Sequence, residues 1–181
     1  MDLKSKLLNQ AVEQMASLPG IGKRTALRLV LHILNQSQGE VNQFSSAFQK
    51  LKENVKFCKC CFNISDTDKC EICSNLKRND DIICVVQDIR DLLAIESTAQ
   101  FFGKYHVLGG IISPMDGIGP NDIRIDELID RVDKGTINEI IFALPATMEG
   151  DTTNFYIYRK LEKKDINLSL ISRGIGIGNQ L

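Results

Sequence analysis

A chain of 181 residues that is 43% hydrophobic has room for one domain or a few small ones and enough apolar side chains for an ordinary core. No apolar run approaches the length of a membrane span and no signal-peptide pattern opens the chain, so its six cysteines point to a reduced, soluble, cytoplasmic protein rather than a secreted one. The formal charge of −1 hides an asymmetry: residues 1–79 carry 12 Lys and Arg against 7 Asp and Glu, whereas residues 80–181 carry 10 against 16. The front of the chain suits a polyanion and the back does not, although a basic stretch alone is equally an ordinary solvated face.

Over residues 3–16, Leu3, Leu7, Leu8, Ala11, Val12 and Met15 recur at helical spacing. Pro19 ends that helix within Leu18-Pro19-Gly20-Ile21-Gly22, and a second helical pattern runs from Lys23 to Leu34. Gly20 and Gly22 tolerate positive φ and bring bare backbone N–H groups to the surface. At the start of a helix such groups form an anion site suited to a phosphate. Lys23 and Arg24 open the helix, and Arg28 lies one turn beyond Arg24 on the same face. Basic side chains there oppose the helix macrodipole, a small cost that an arriving anion offsets. A mere helical corner is the bland alternative. Ala26 is small enough for the two helices to cross closely, and His32 reads as packed or exposed rather than functional. A third pattern over 41–55, through Val41, Phe44, Phe48, Leu51 and Val55, is expected to pack on this hairpin and complete a small helical unit, marginal alone.

Two CxxC pairs come next, Cys58/Cys61 and Cys70/Cys73, with eight residues between them. Each pair lets a tight turn bring two thiolates to one point, and four can complete a Zn²⁺ tetrahedron with Zn–S bonds of about 2.3 Å. Four sulfurs leave no position for water, so such a zinc is structural. A disulfide pair or buried free thiols are the alternatives. Paired CxxC at this spacing favours the metal, which would anchor the helical unit to the rest of the chain. Cys60 is badly placed to share it, and Cys84 reads as a small core hydrophobe.

Beyond Asn79-Asp80-Asp81 the pattern changes. Strands are expected at 82–87, 105–112, 139–144 and 167–171, and helices at about 88–99, 122–133 and 152–164, with a Gly/Pro-rich loop at 113–120. Strands alternating with helices predict a parallel α/β sheet. His106 falls inside a strand pattern and reads as structural.

The stretches LPGIGKRTALRL, the four-cysteine knuckle ending CEICSN, YHVLGGIISPMDGIGP and MEGDTT, in this order and spacing, resemble the RecR family of bacterial recombination mediators across essentially the whole chain. The resemblance implies a helix-hairpin-helix DNA-binding domain at 1–55, a C4 zinc finger at 56–78, a Toprim domain at 79–172 and the start of a Gly-rich C-terminal segment at 173–181. It implies no catalysis. It further implies binding to single- and double-stranded DNA without sequence readout, and partnership with RecO and, in many bacteria, RecF. Loading of RecA onto single-stranded DNA, self-assembly into dimers and a tetrameric ring, and a place at the nucleoid are implied by the same likeness. The family's DNA-contacting basic positions fall on Arg24 and Arg28, with Lys23 an added charge and Gly20 and Gly22 offering backbone.

Two departures from the family pattern matter. Toprim domains usually carry a Glu at the end of the first strand, where Gln87 stands here. Glu149 and Asp151 remain in MEGD, spaced to point at one site at a strand-to-helix turn or else simply solvated. With one carboxylate missing, a Mg²⁺ site is expected to be weak, and a Mg²⁺-dependent Toprim nuclease or primase is the rival reading. No Tyr stands out as a strand-cleaving nucleophile. The chain also ends before the family's acidic stretch and closing arm, with Gly176 where Pro is usual, so a closed ring is expected to be weaker. A zinc-ribbon adaptor whose hairpin packs only on protein is a third reading.

Overall fold

A computed structural model describes residues 4–172; Leu3 and the Gly-rich segment 173–181, including Gly176, lie outside the described residues. The chain divides into two compact units between Asn54 and Val55.

The first unit is helical. α1 (Lys6–Ala16) starts at Ser5, whose hydroxyl accepts the Leu8 N–H at 3.3 Å. α2 (Lys23–Leu34) comes after the Pro19 turn, and α3 (Gln38–Asn54) completes the unit. α3 begins before 41 because Ser37 and Glu40 cap it reciprocally. The Ser37 hydroxyl accepts the Glu40 N–H at 3.3 Å, and the Glu40 carboxylate accepts the Ser37 N–H at 2.8 Å. Val12 on α1 and Ala26 on α2 are the buried residues of the unit, so the small Ala26 side chain does allow the close crossing. The expected packing of the third helix on this hairpin is not found. α3 buries none of its residues, and Phe44, Phe48 and Leu51 stay exposed, the two rings edge to face at 5.0 Å. Three short helices enclose too little volume to cover a third apolar stripe.

The second unit opens with β1 (Lys56–Phe57) paired antiparallel to β2 (Ile64–Ser65), then the short α4 (Glu71–Ser74). A sheet is formed by β3 (Ile82–Val86), β4 (Lys104–Val107), β5 (Glu139–Ala143) and β6 (Asn167–Leu170), in the order β4-β3-β5-β6 and parallel throughout. α5 (Ile89–Ser97), α6 (Ile125–Lys134) and α7 (Met148–Leu161) connect the strands. This is the expected α/β fold. The two central strands, β3 and β5, are nearly continuous apolar runs because both of their faces are covered. Ile83, Val85, Ile140 and Phe142 face α6 and α7, packing on Leu128 and Ile157. Cys84, Val86, Tyr105 and Val107 face Leu92 of α5 together with Phe62 and Ile72 of the cysteine knuckle.

Among the boundaries that differ from the pattern, three have a clear local reason. β4 stops at Val107, since the backbone turns at Gly109 with φ +82°. α6 begins at Ile125 because Pro120–Asp122 form a 3-10 turn, closed by the Asp122 carboxylate accepting the Gly119 N–H at 2.8 Å. α7 begins at Met148, where Thr147 caps it by accepting the Gly150 N–H at 3.2 Å.

His106 is fully buried on β4, its Nε2 2.7 Å from the Arg124 carbonyl oxygen, to which the neutral ring donates. Burial pushes its pKa down to about 4, and the Arg131 and Arg124 charges add to the effect. A histidine that is neutral in the fold and protonated near its usual value when unfolded adds stability above that value. That stability is lost as the pH falls towards the folded pKa, by about 3 kcal/mol in all. Urea unfolding between pH 7 and 4.5 should therefore show the parent losing about 2–3 kcal/mol more than His106→Gln. A constant gap between the two would contradict this role.

Candidate nucleic-acid interface and metal centre

The hairpin turn leaves backbone donors and cationic side chains together at the start of α2. Gly20 takes φ +79°, a left-handed conformation that a side chain would strain, and the Ile21 N–H bonds back to the Leu18 carbonyl at 3.1 Å. Gly22 does not use its tolerance of positive φ. It is the extended N-cap of α2, with φ −77° and ψ 158°. A glycine N-cap has no side chain to satisfy the first N–H groups, and no acid stands in the first turn. Those donors are left to solvent or to a ligand. Lys23, Arg24 and Arg28 are all exposed, and none forms an ion pair among the described residues. Three unpartnered cations beside an uncapped helix N-terminus present donors and charge together, which is what a phosphate requires. His32 is exposed in the last turn of α2.

The cysteine knuckle converges as its spacing implied. Cys58, Cys61, Cys70 and Cys73 are buried, and their sulfurs lie within 4.8 Å of one another. A tetrahedron with Zn–S bonds of about 2.3 Å needs sulfurs about 3.8 Å apart. Cys61 and Cys70 stand 3.5 Å apart, and the Cys70 N–H donates to the Cys58 sulfur at 3.3 Å. These are thiols, not disulfides. A hydrogen bond from Cys61 draws the Cys73 thiol down to about 6 and holds the Cys61 thiol up, with the Arg131 charge also favouring the Cys73 thiolate. The donor set is that of a closed zinc site, in which the metal holds the fold and has no position open for chemistry. Cys60 stays outside the cluster, and Cys84 lies in the sheet core, where burial pushes its thiol up to about 12.

Two cations that sequence reasoning missed support this knuckle, Lys104 from β4 and Arg131 from α6. Lys104 is 3% exposed, and its ammonium donates to the carbonyls of Ile72, Cys73 and Asn75 at 2.9, 3.2 and 2.9 Å. Asp80 lies 3.3 Å away as its counter-charge. Arg131 donates to the carbonyls of Tyr105 at 2.6 Å and Cys60 at 3.4 Å. Lys104→Met keeps the stem and strips three carbonyls, one of them buried, of their donor, so it should cost about 3 kcal/mol. It should also speed the loss of zinc to a chelator. Unchanged chelator kinetics and an unchanged melting temperature would remove Lys104 from this role.

The Toprim acids are arranged differently. Gln87 follows directly after β3, its carbonyl accepting the Gly109 N–H at 2.8 Å, and the next residue, Asp88, is committed to capping α5. Glu149 and Asp151 both lie in the first turn of α7, not ahead of it. Two positions apart on a helix, their side chains diverge by about 200°. Among the described residues the four cysteines alone form a convergent group of three or more metal-ligand side chains. Acids in a first helical turn are also favoured by the macrodipole.

Comparison with known proteins agrees with this geometry. Family models for the RecR helix-hairpin-helix, the RecR four-cysteine zinc finger domain and the Toprim domain match residues 8–52, 55–75 and 81–172. The chain is 56% identical over 177 residues to a protein of Bacteroides fragilis named Recombination protein RecR, covering 98% of this chain and 86% of that one. It is 55% identical to the protein of that name from Flavobacterium johnsoniae over 181 residues, 100% of this chain and 88% of the other. With the one from Porphyromonas gingivalis it shares 52% over 177 residues, 98% and 86% of the two. The name these relatives share is that of a recombination protein, not of an enzyme. Hairpin, cysteine knuckle and parallel sheet, in one order and at this level of identity, place the chain in the RecR family of recombination proteins.

Proposed function

We propose that this chain is a recombination mediator in DNA repair that binds single- and double-stranded DNA through its phosphates, without reading sequence. The observation that carries this reading is the uncapped N-terminus of α2, flanked by Lys23, Arg24 and Arg28 with no acidic partner. Gly20 and Gly22 supply the turn and the exposed N–H groups. In this reading Cys58, Cys61, Cys70 and Cys73 hold one structural Zn²⁺ per chain, and Glu149 and Asp151 bind Mg²⁺ weakly at most. The protein acts with RecO, and in some settings RecF, to help load RecA onto single-stranded DNA at the nucleoid. Among the described residues no helix is long and apolar enough to cross a membrane, in keeping with a cytoplasmic site.

A mobility-shift series tests this, using unrelated single- and double-stranded oligonucleotides with and without Mg²⁺ and scoring both binding and cleavage. The expected result is binding to every sequence and cleavage of none. Mg²⁺-dependent nicking that vanishes in Glu149→Gln would replace this reading with the nuclease. Absence of binding at low salt would leave the protein-only adaptor.

Self-association is part of the same proposal. Phe44, Phe48 and Leu51 form an uncovered apolar stripe on α3, and Leu7 and Leu34 are also strongly exposed. Such surface is costly in water and suits pairing of N-terminal units, with a tetrameric ring built from such pairs. Light scattering at tens of micromolar should report dimers or larger. Monomer alone would contradict the proposal.

A further inference from the structure

Arg124 is the one arginine of the second unit without an acceptor among the described residues. Arg78 pairs with Glu96, Arg90 with Asp88 and Arg159 with Glu162, while Arg131 donates to two carbonyls. The acids nearest Arg124 in sequence are turned elsewhere. Asp122 accepts the Gly119 N–H at 2.8 Å, and Asp126 lies 3.9 Å from Lys160. An unpaired guanidinium is unexpected in the acidic half of the chain.

The guanidinium is nevertheless held in place from several sides. Its carbon lies over the Phe62 ring at 4.8 Å and over the Phe57 ring at 5.4 Å. A β-carbon at Gly109 would collide with Nη1, so the bare, left-handed backbone at that position makes the room the guanidinium occupies. The backbone beneath is equally fixed. The Arg124 N–H donates to the Leu108 carbonyl at 2.9 Å, and its own carbonyl accepts from His106. Phe62 adopts φ +62°, a conformation unfavourable for a bulky side chain, immediately after the ligand Cys61. Glycine would fit that turn without strain. A ring kept there, edge to face with His106 at 5.4 Å, forms the floor under Arg124. Phe57, by contrast, is 52% exposed.

We propose that Arg124 is a phosphate-binding residue on the second unit, and that Phe57 beside it is a stacking platform for the adjoining base of a single strand. A guanidinium over aromatic rings can still donate its N–H groups to a phosphate, and an exposed ring next to a cation suits unpaired bases of any sequence. Duplex DNA, with its bases already stacked, gains only the phosphate interaction. The competing role is a structural link, in which Arg124 only ties the knuckle to the sheet through its two rings. The proposal rests on the DNA-binding reading above and adds a second point of attachment outside the hairpin.

The test uses the full chain and fluorescein-labelled oligo(dT), with a duplex of equal length, over a salt series. Arg124→Gln should weaken binding to oligo(dT) about tenfold and reduce the slope of log K against log salt by about 0.7, one phosphate on a single strand. Arg124→Lys should keep the slope and lose only part of the affinity. Phe57→Leu, an exposed change that leaves the charge intact, should weaken oligo(dT) binding about fivefold or more while duplex binding stays within about twofold. If Arg124→Gln keeps its zinc and melting temperature and binds oligo(dT) with the parental affinity and slope, Arg124 is only a structural link. Should that variant fail to fold, Phe57→Leu decides, and unchanged single-strand binding overturns the proposal. Loss confined to Arg24→Ala/Arg28→Ala leaves the hairpin reading standing and this one refuted. A parent that binds no DNA refutes both.

Discussion

Cys58→Ala and Cys73→Ala should each release the metal and unfold residues 57–75. Apart from its ligands, the knuckle has little with which to hold itself. Its strands are two residues long, α4 is a single turn, and the residues from Asn63 to Lys69 are mostly polar turn formers. The four cysteines form their own buried cluster, with Ile72 and Cys60 as the neighbouring apolar side chains. In such modules zinc binding contributes on the order of 10–16 kcal/mol of apparent free energy, which is folding free energy because no site exists in the unfolded chain. Removing one thiolate leaves three buried sulfurs around a position that water must fill. The damage should spread, because Phe62 and Ile72 pack on one face of the sheet and Lys104 depends on the knuckle's carbonyls. Elemental analysis should find about one zinc per parent chain and much less in either variant, with a fall in melting temperature. Cys60→Ser and Cys84→Ala serve as controls and should keep their zinc. Freshly purified parent protein without zinc would refute the assignment.

What the sequence revealed tracked the range of the interactions involved. The zinc ligands were legible because CxxC geometry is local. The four strands were legible as short apolar runs bounded by turn residues, and their alternation with helices allowed a parallel sheet. The starts of α3 and α7 were written in the sequence too, as Ser37 with Glu40 and as Thr147, but apolar periodicity does not report caps. The positions of Glu149 and Asp151 inside α7 went unseen for the same reason. Lys104 and Arg124 were not legible. Their partners are Ile72, Cys73 and Asn75 for one and Phe57, Phe62 and Gly109 for the other, brought together only by the folded sheet. The open stripe on α3 marks another limit: periodicity shows which face of a helix is apolar, and not whether anything in the same chain covers it.

Arg24→Ala combined with Arg28→Ala should abolish measurable DNA binding while leaving fold and zinc intact. Both side chains are exposed and one helical turn apart, so they address the same stretch of backbone. With roughly two or three phosphates neutralised per hairpin, a single site binds weakly, and useful affinity needs several chains on one strand. Losing two charges from every hairpin therefore multiplies along the strand. The salt slope should fall by about 0.7–0.9 for each phosphate no longer neutralised, which separates removal of phosphate pairing from a general weakening. Stability should hold or rise slightly, because alanine favours the helix and the lost charges opposed its macrodipole. Gly20→Ala makes a complementary probe. It leaves every charge in place but puts a side chain on a backbone at φ +79°, at a cost of about 1 kcal/mol, and shifts the N–H groups the turn presents. Weaker binding with an unchanged salt slope is expected there. A double arginine variant that binds like the parent, with the parental slope, would remove the hairpin as the DNA site and leave a protein-binding corner in its place.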